Sequence, residues 1–241
     1  MELIIVKNYE EISKKASEIV IDLLTKQPDA KLGLATGSSP IGLYQCLIEA
    51  YQHKQISFKQ ATSFNLDEYV GISRNHPQSY FSFMNEHLFK HIDIDIEHVH
   101  LPENDVTRID SIAKEYNKLL KKNPIDLQIL GIGSNGHIGF NEPGTPFGNE
   151  TFVVKLDEQT RLDNSRFFGS IDEVPTYAIT MGIKNIMRAK HIVLLASGKE
   201  KSEAVYQMLY GEVTQDLPAS ILQLHPHCTV IIDELAASLL P

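Results

Sequence analysis

Three short stretches carry side chains that could do chemistry. Residues 130–143 read LGIGSNGHIGFNEP and set His137 between Asn135 and Glu142 in a run that also holds four glycines. A histidine moves protons near neutral pH, and a flanking amide or carboxylate fixes its tautomer and orientation. Asp67 and Glu68 follow residues 61–66, which read as a strand. A carboxylate at a strand end becomes a general base when partial desolvation raises its pKa, although a turn or helix-cap aspartate would read the same way. Residues 34–40, LATGSSP, place Gly37, Ser38 and Ser39 just before Pro40 at a predicted helix start. Free backbone N–H groups, the helix dipole and two hydroxyls there suit an anion such as a phosphate, or simply cap the helix.

Other chemistries fit less well. Gly131, Gly133 and Gly136 satisfy G-x-G-x-x-G, but Gly139, Pro143, Gly144 and Pro146 leave no room for the helix that must start within such a loop. Gly37 and Gly42 have Walker A spacing, yet Leu43 and Tyr44 stand where Lys and Ser/Thr are needed. The pairs His87/His91, His98/His100 and His225/His227 lack a third ligand, and no H-E-x-x-H is present, so no metal is expected. No G-x-S-x-G elbow occurs either.

The elements that must position these stretches alternate. Strands are expected at 3–6, 31–35, 61–66, 98–101, 126–130, 191–196 and 228–232, with 67–69 ending the third. Helices are expected at 9–26, 41–52, 78–90, 108–121 and 200–209, and a short one at the terminus. Such alternation predicts an α/β fold, a mostly parallel sheet with helices on both faces, and the three stretches then fall at strand ends, where such folds bind ligands. Residues 144–174 break the rhythm with Gly, Pro, Thr, Asp and Asn and are expected to form a lid or binding loop.

With 241 residues, 42% apolar and 22% charged, and no linker or repeat, the chain reads as a single globular domain. A net charge of −9 argues against nucleic-acid partners, and no run is long enough for a signal peptide or membrane span. Cys46 and Cys228 are far apart and read as reduced thiols of a cytoplasmic protein.

Taken together, LATGSSPIGLY, FNLDEYVG with HPQSYFSFM, LGIGSNGHIGFNEPG, NSRFFG, TMGI, ASGKEKSEAV and LQLHPHCTVIID resemble the glucosamine-6-phosphate deaminases over essentially the whole chain. The resemblance implies a modified Rossmann-like fold. It implies conversion of D-glucosamine 6-phosphate and water to D-fructose 6-phosphate and ammonium, with no metal, flavin or nicotinamide cofactor. Carried over, Asp67 would move a proton between C2 and C1 of the opened sugar, and His137 would open the ring, oriented by Glu142 and Asn135. Gly37, Ser38 and Ser39 would hold the phosphate with Lys201 and Arg166, and the loop glycines, Gly131 first, would leave room for the sugar. Spacing does not separate Lys199 from Lys201; the family's G-x-x-K pattern favours Lys201.

Two departures bear on this. Many family members have Asp where Asn135 stands, so the imidazolium of His137 loses a charged neighbour and the pH–rate profile is expected to shift. The chain also stops at Pro241, without the extension of the larger allosteric hexamers, so a monomer is expected. The rivals are a 6-phosphogluconolactonase-like hydrolase, which needs no C2 base, and a non-catalytic sugar-phosphate sensor, which would bind without releasing ammonia.

Overall fold

The computed structural model describes residues 1–156, 162 and 168–241. Its strands are β1 (Glu2–Val6), β2 (Lys31–Leu34), β3 (Thr62–Asn65), β4 (Asp67–Tyr69), β5 (Val99–His100), β6 (Leu127–Gly131), β7 (Phe152–Lys155), β8 (Tyr177–Thr180), β9 (His191–Ala196) and β10 (Cys228–Asp233). Seven of them form one sheet in the order β1-β10-β9-β6-β2-β3-β5, every pair parallel. The remaining three form an antiparallel sheet, β4-β8-β7.

Alternation along the central strands builds two cores. In β9, Ile192 and Leu194 face one cluster while Val193 and Leu195 face the other. Helix α1 (Tyr9–Lys26) places Ile12, Ala16, Val20 and Leu24 on one face at helical spacing, and Asn8 caps it by accepting the Glu11 N–H. Helix α2 (Ile41–Gln52) buries Leu43, Tyr44 and Leu47 in the same cluster. The opposite face is covered by Tyr116 and Leu120 of the helix Ile109–Lys122 and by Ala204, Val205 and Met208 of the helix Ser202–Tyr210. Each such fully buried Leu or Ile contributes about 1.5–3 kcal/mol of burial. The sheet is therefore mostly parallel with helices on both faces, as its sequence pattern predicts.

The strand order fixes where a ligand can sit. From β2 the chain runs outward through β3 to β5, then returns to the other side of β2 as β6 and runs outward through β9. The loops leaving β2 and β6 consequently diverge, and the crevice between them lies at the carboxyl edge of adjacent strands.

Three expectations change. The run 61–69 is not one strand: the chain leaves the large sheet after Asn65, and Asp67–Tyr69 pairs with β8 instead. The segment 144–174 is not wholly irregular, because Phe152–Lys155 pairs with β8 as β7; part of that expected lid, 157–161 and 163–167, lies outside the described residues. Residues 234–239 form turns rather than a helix, with the Ala236 N–H donating to the Asp233 carboxylate at 2.8 Å.

Candidate active site

The loop after β2 is held at both ends and open in the middle. Tyr44, fully buried, donates its hydroxyl to the Ala35 carbonyl at 2.6 Å. The Tyr9 hydroxyl donates to the Ser38 carbonyl and accepts the Gly42 N–H, each at 2.8 Å. Between these pins Gly37 takes a left-handed φ of +89°, which favours glycine. The N–H groups of Gly37, Ser38 and Ser39 donate to no acceptor among the described residues. They stand at the N-terminus of α2, whose dipole favours an anion. Gly131, the last residue of β6, lies against this loop: a Cβ added to it would sit 3.1 Å from Ser39 Oγ.

The next strand over supplies a cation. β9 ends at Ala196, and the turn that follows is anchored by buried Asp233, which accepts the Ser197 hydroxyl at 2.5 Å and the Gly198 N–H at 3.1 Å. Lys201 is half-buried at the foot of the helix Ser202–Tyr210, whereas Lys199 is exposed. Lys201 pairs with no carboxylate among the described residues. Arg166, the other expected cation, lies outside the described residues.

Asp67 and Glu68 are both buried, and their surroundings separate them. Glu68 accepts the N–H groups of Tyr69 and Tyr80 on one oxygen, each at 2.9 Å, and that of Phe81 on the other at 3.0 Å. It therefore satisfies the first two N–H groups of the helix α3 (Tyr80–His87), whose N-cap is Ser79, and ties β4 to it. Burial raises its pKa even against those three bonds. The Asp67 carboxyl has no hydrogen-bond partner among the described residues, and the residue is 6% exposed. Burial, reinforced by the neighbouring Glu68 charge, pushes its carboxyl up to about 8.

The loop after β6 folds around His137. The Gly133 N–H donates to the His137 carbonyl at 2.9 Å, and the imidazole lies so close over Gly133 that a Cβ there would overlap the ring. Asn135 Oδ1 lies 2.8 Å from His137 Nδ1 and also accepts the His137 N–H at 3.2 Å, while Asn135 Nδ2 donates to Glu142 Oε2 at 2.8 Å. Glu142 Oε1 stands 3.3 Å from the same Nδ1. With two acceptors facing Nδ1, the network assigns the proton to that nitrogen and leaves Nε2 as the basic one. The loop then passes Asp67, since a Cβ on Gly139 would be 3.6 Å from Asp67 Oδ2.

An aromatic wall flanks Asp67. Tyr80 lies parallel to Phe140 with centroids 6.2 Å apart, and Tyr69 packs against Tyr80 at 4.8 Å and edge-on to Phe168 at 6.0 Å. Thr180 and Asn141 were not anticipated, because both act through backbone contacts distant in sequence. Among the described residues, no group of three or more His, Cys, Asp or Glu is placed to hold a metal.

Comparison with known proteins gives the same direction. A family model described as glucosamine-6-phosphate isomerases/6-phosphogluconolactonase matches residues 7–231. Glucosamine-6-phosphate deaminase 2 of Bacillus subtilis is 53% identical over 240 residues, covering 98% of this chain and 96% of its own. A glucosamine-6-phosphate deaminase of Clostridium novyi is 52% identical over 239 residues, covering 99% of each. A solved monomeric glucosamine-6-phosphate deaminase superposes with a TM-score of 0.95 at 47% identity, covering 99% of this chain and 100% of that one. The 6-phosphogluconolactonase of Trypanosoma brucei superposes at 0.82 with 18% identity, covering 100% of this chain and 98% of that one, and shares the fold.

Proposed function

The chain belongs to the glucosamine-6-phosphate isomerase/6-phosphogluconolactonase family, and on that premise we propose that it converts D-glucosamine 6-phosphate and water to D-fructose 6-phosphate and ammonium. The observation that carries this reading is the approach of the loop holding His137 to the buried Asp67 carboxyl at Gly139. Ring opening and enolisation need positioned acid–base groups and no electron sink, and these two groups have complementary tasks.

In this reading the phosphate rests on the N–H groups of Gly37, Ser38 and Ser39 at the start of α2 and on Lys201, with Arg166 as a second cation and Gly131 leaving space for the sugar. His137, through Nε2, carries a proton between the ring oxygen and the C1 hydroxyl. Asn135 and Glu142 hold its Nδ1–H and keep the ring oriented. Asp67, as the carboxylate, takes the proton from C2 of the open aldose and returns it at C1. The resulting C2 imine adds water and expels ammonia, which leaves as ammonium. No step calls for a metal or redox cofactor.

The enzyme acts as a cytoplasmic monomer that takes a small sugar phosphate and binds neither nucleic acid nor membrane. Supporting this are the net charge of −9, the two unpaired cysteines, and the likeness to a monomeric deaminase. No helix among the described residues is long and apolar enough to cross a membrane. Segment 144–174 serves as the lid over the sugar, within a single domain.

The deciding experiment measures ammonia released from glucosamine 6-phosphate by the wild type and by Asp67→Asn, beside hydrolysis of 6-phosphogluconolactone. Ammonia from the wild type alone is expected. Lactone hydrolysis without ammonia, or substrate binding with neither activity, overturns the reading.

A further inference from the structure

His137 and Asp67 stand on different elements, one in the loop after β6 and the other on β4, and this inference, which rests on the deaminase reading, concerns what keeps them in register. Two fully buried side chains join those elements. Thr180 lies directly opposite Asp67 in the β4–β8 pairing, and its Oγ1 accepts the Phe140 N–H at 3.1 Å. Asn141 donates from Nδ2 to the Ile138 carbonyl and to the Met181 carbonyl, each at 2.8 Å. The Met181 N–H in turn donates to the Leu66 carbonyl at 2.7 Å, one residue before Asp67.

The segment being held is a tight turn. Asn141 N–H closes it onto the Ile138 carbonyl at 3.2 Å, and Gly139 turns the corner with a left-handed φ of +58°. A Cβ on Gly139 would meet Thr180 Oγ1 at 3.0 Å and Asp67 Oδ2 at 3.6 Å, so the hydroxyl and the carboxyl face the same point of the turn. His137 immediately precedes this turn and Glu142 immediately follows it. Among the described residues the Thr180 hydroxyl has one further, longer hydrogen bond, to the Met181 carbonyl at 3.4 Å, which leaves the Phe140 bond as its principal one.

We propose that Thr180 is a positioning residue for this reaction: its hydroxyl sets the height of the turn 138–141 over Asp67, and with it the separation of the ring-opening histidine from the C2 base. Deleting the hydroxyl leaves the Phe140 N–H without its acceptor, and the turn must shift to find another. Because His137 and Glu142 flank the turn, a shift there moves both relative to Asp67. A displacement of about 1 Å in such a pair costs roughly 100-fold in rate.

The test compares Thr180→Val, which keeps the branched shape but not the acceptor, with Thr180→Ser, which keeps the hydroxyl. Both are assayed for ammonia release with full kcat and KM determination and for thermal midpoint. Thr180→Val is expected to lower kcat by about 10- to 100-fold with KM within about twofold, and Thr180→Ser to stay within about threefold of the wild type. Should Thr180→Val not fold, Thr180→Cys, of similar volume with a poor acceptor, carries the same expectation. Thr180→Val retaining kcat, or losing no more than Thr180→Ser, overturns the proposal while an active wild type leaves the functional reading standing. A wild type that releases no ammonia overturns both.

Discussion

Gly131 and Ser39 belong to neighbouring loops, yet a Cβ on the first would lie 3.1 Å from the hydroxyl oxygen of the second. Two strand ends thus meet backbone to side chain, and at that one point a Cβ fits only if Ser39 gives way. Gly131→Ala should push Ser39 out of line with Gly37 and Ser38 and raise KM about tenfold, leaving kcat within about threefold. Steady-state kinetics on glucosamine 6-phosphate check this, and a fall in kcat at unchanged KM would assign the contact to chemistry instead. Lys201→Ala should act in the same sense, more strongly, because a charge-assisted phosphate contact is lost.

Asp67 ties activity to stability through its buried carboxyl. With its pKa pushed up to about 8, the free enzyme carries it mostly protonated at neutral pH, so kcat/KM should climb with pH and level off above about 8. Asp67→Asn should lose about 10²- to 10⁴-fold in turnover. The folded pKa lies above the ordinary 3.8, so the folded state binds more protons than the unfolded one and the wild type loses stability as pH rises between those values. The thermal midpoint of Asp67→Asn should therefore rise relative to that of the wild type as pH goes from 4 to about 8. A difference independent of pH would show the carboxyl to be solvated.

Asn135 offers its oxygen to His137 and its amide to Glu142. Asn135→Asp replaces a neutral acceptor by a charge beside the ring. The pH–rate profile of the variant should differ from that of the wild type. An unmoved profile would mean that Glu142 alone sets the charge environment. Asn135→Ala should leave the ring less oriented and lower kcat by about tenfold.

At the opposite edge of the sheet, His191 and His227 stack with centroids 3.6 Å apart and planes within 4°. Burial first, then the His227 charge, lowers the pKa of His191 from 6.5 to about 4. The unfolded chain then binds a proton that the folded one refuses, so stability should fall as pH drops from 6.5 towards 4. His191→Gln should flatten the dependence of the thermal midpoint over that window. An identical slope in wild type and variant would assign the acid sensitivity elsewhere.

Much of the fold was legible because its long elements are periodic. Helices 9–26 and 41–52 and the strand 191–196 appear with the predicted bounds. The small sheet was not legible. Its strands have three or four residues, and β4 continues β3 in sequence with only Leu66 between them, so only pairing with β8 reveals the change of sheet. The same limit hid the difference between Asp67 and Glu68. Neighbouring strand residues point to opposite faces, and nothing local tells which face meets α3 and which meets Gly139. Thr180 was hidden for a related reason, since its partner Phe140 is forty residues away.

The break at Leu66 gives the molecule two mountings. One, the parallel sheet, carries at the ends of β2, β6 and β9 the loops that the proposed mechanism uses to hold the phosphate. The other, the small antiparallel sheet, carries Asp67, the base of that mechanism, and is fastened to the first through the turn 138–141. In that mechanism the two can diverge separately: substitutions within β4, β7 and β8 would retune the reaction while the proposed phosphate contacts stay as they are.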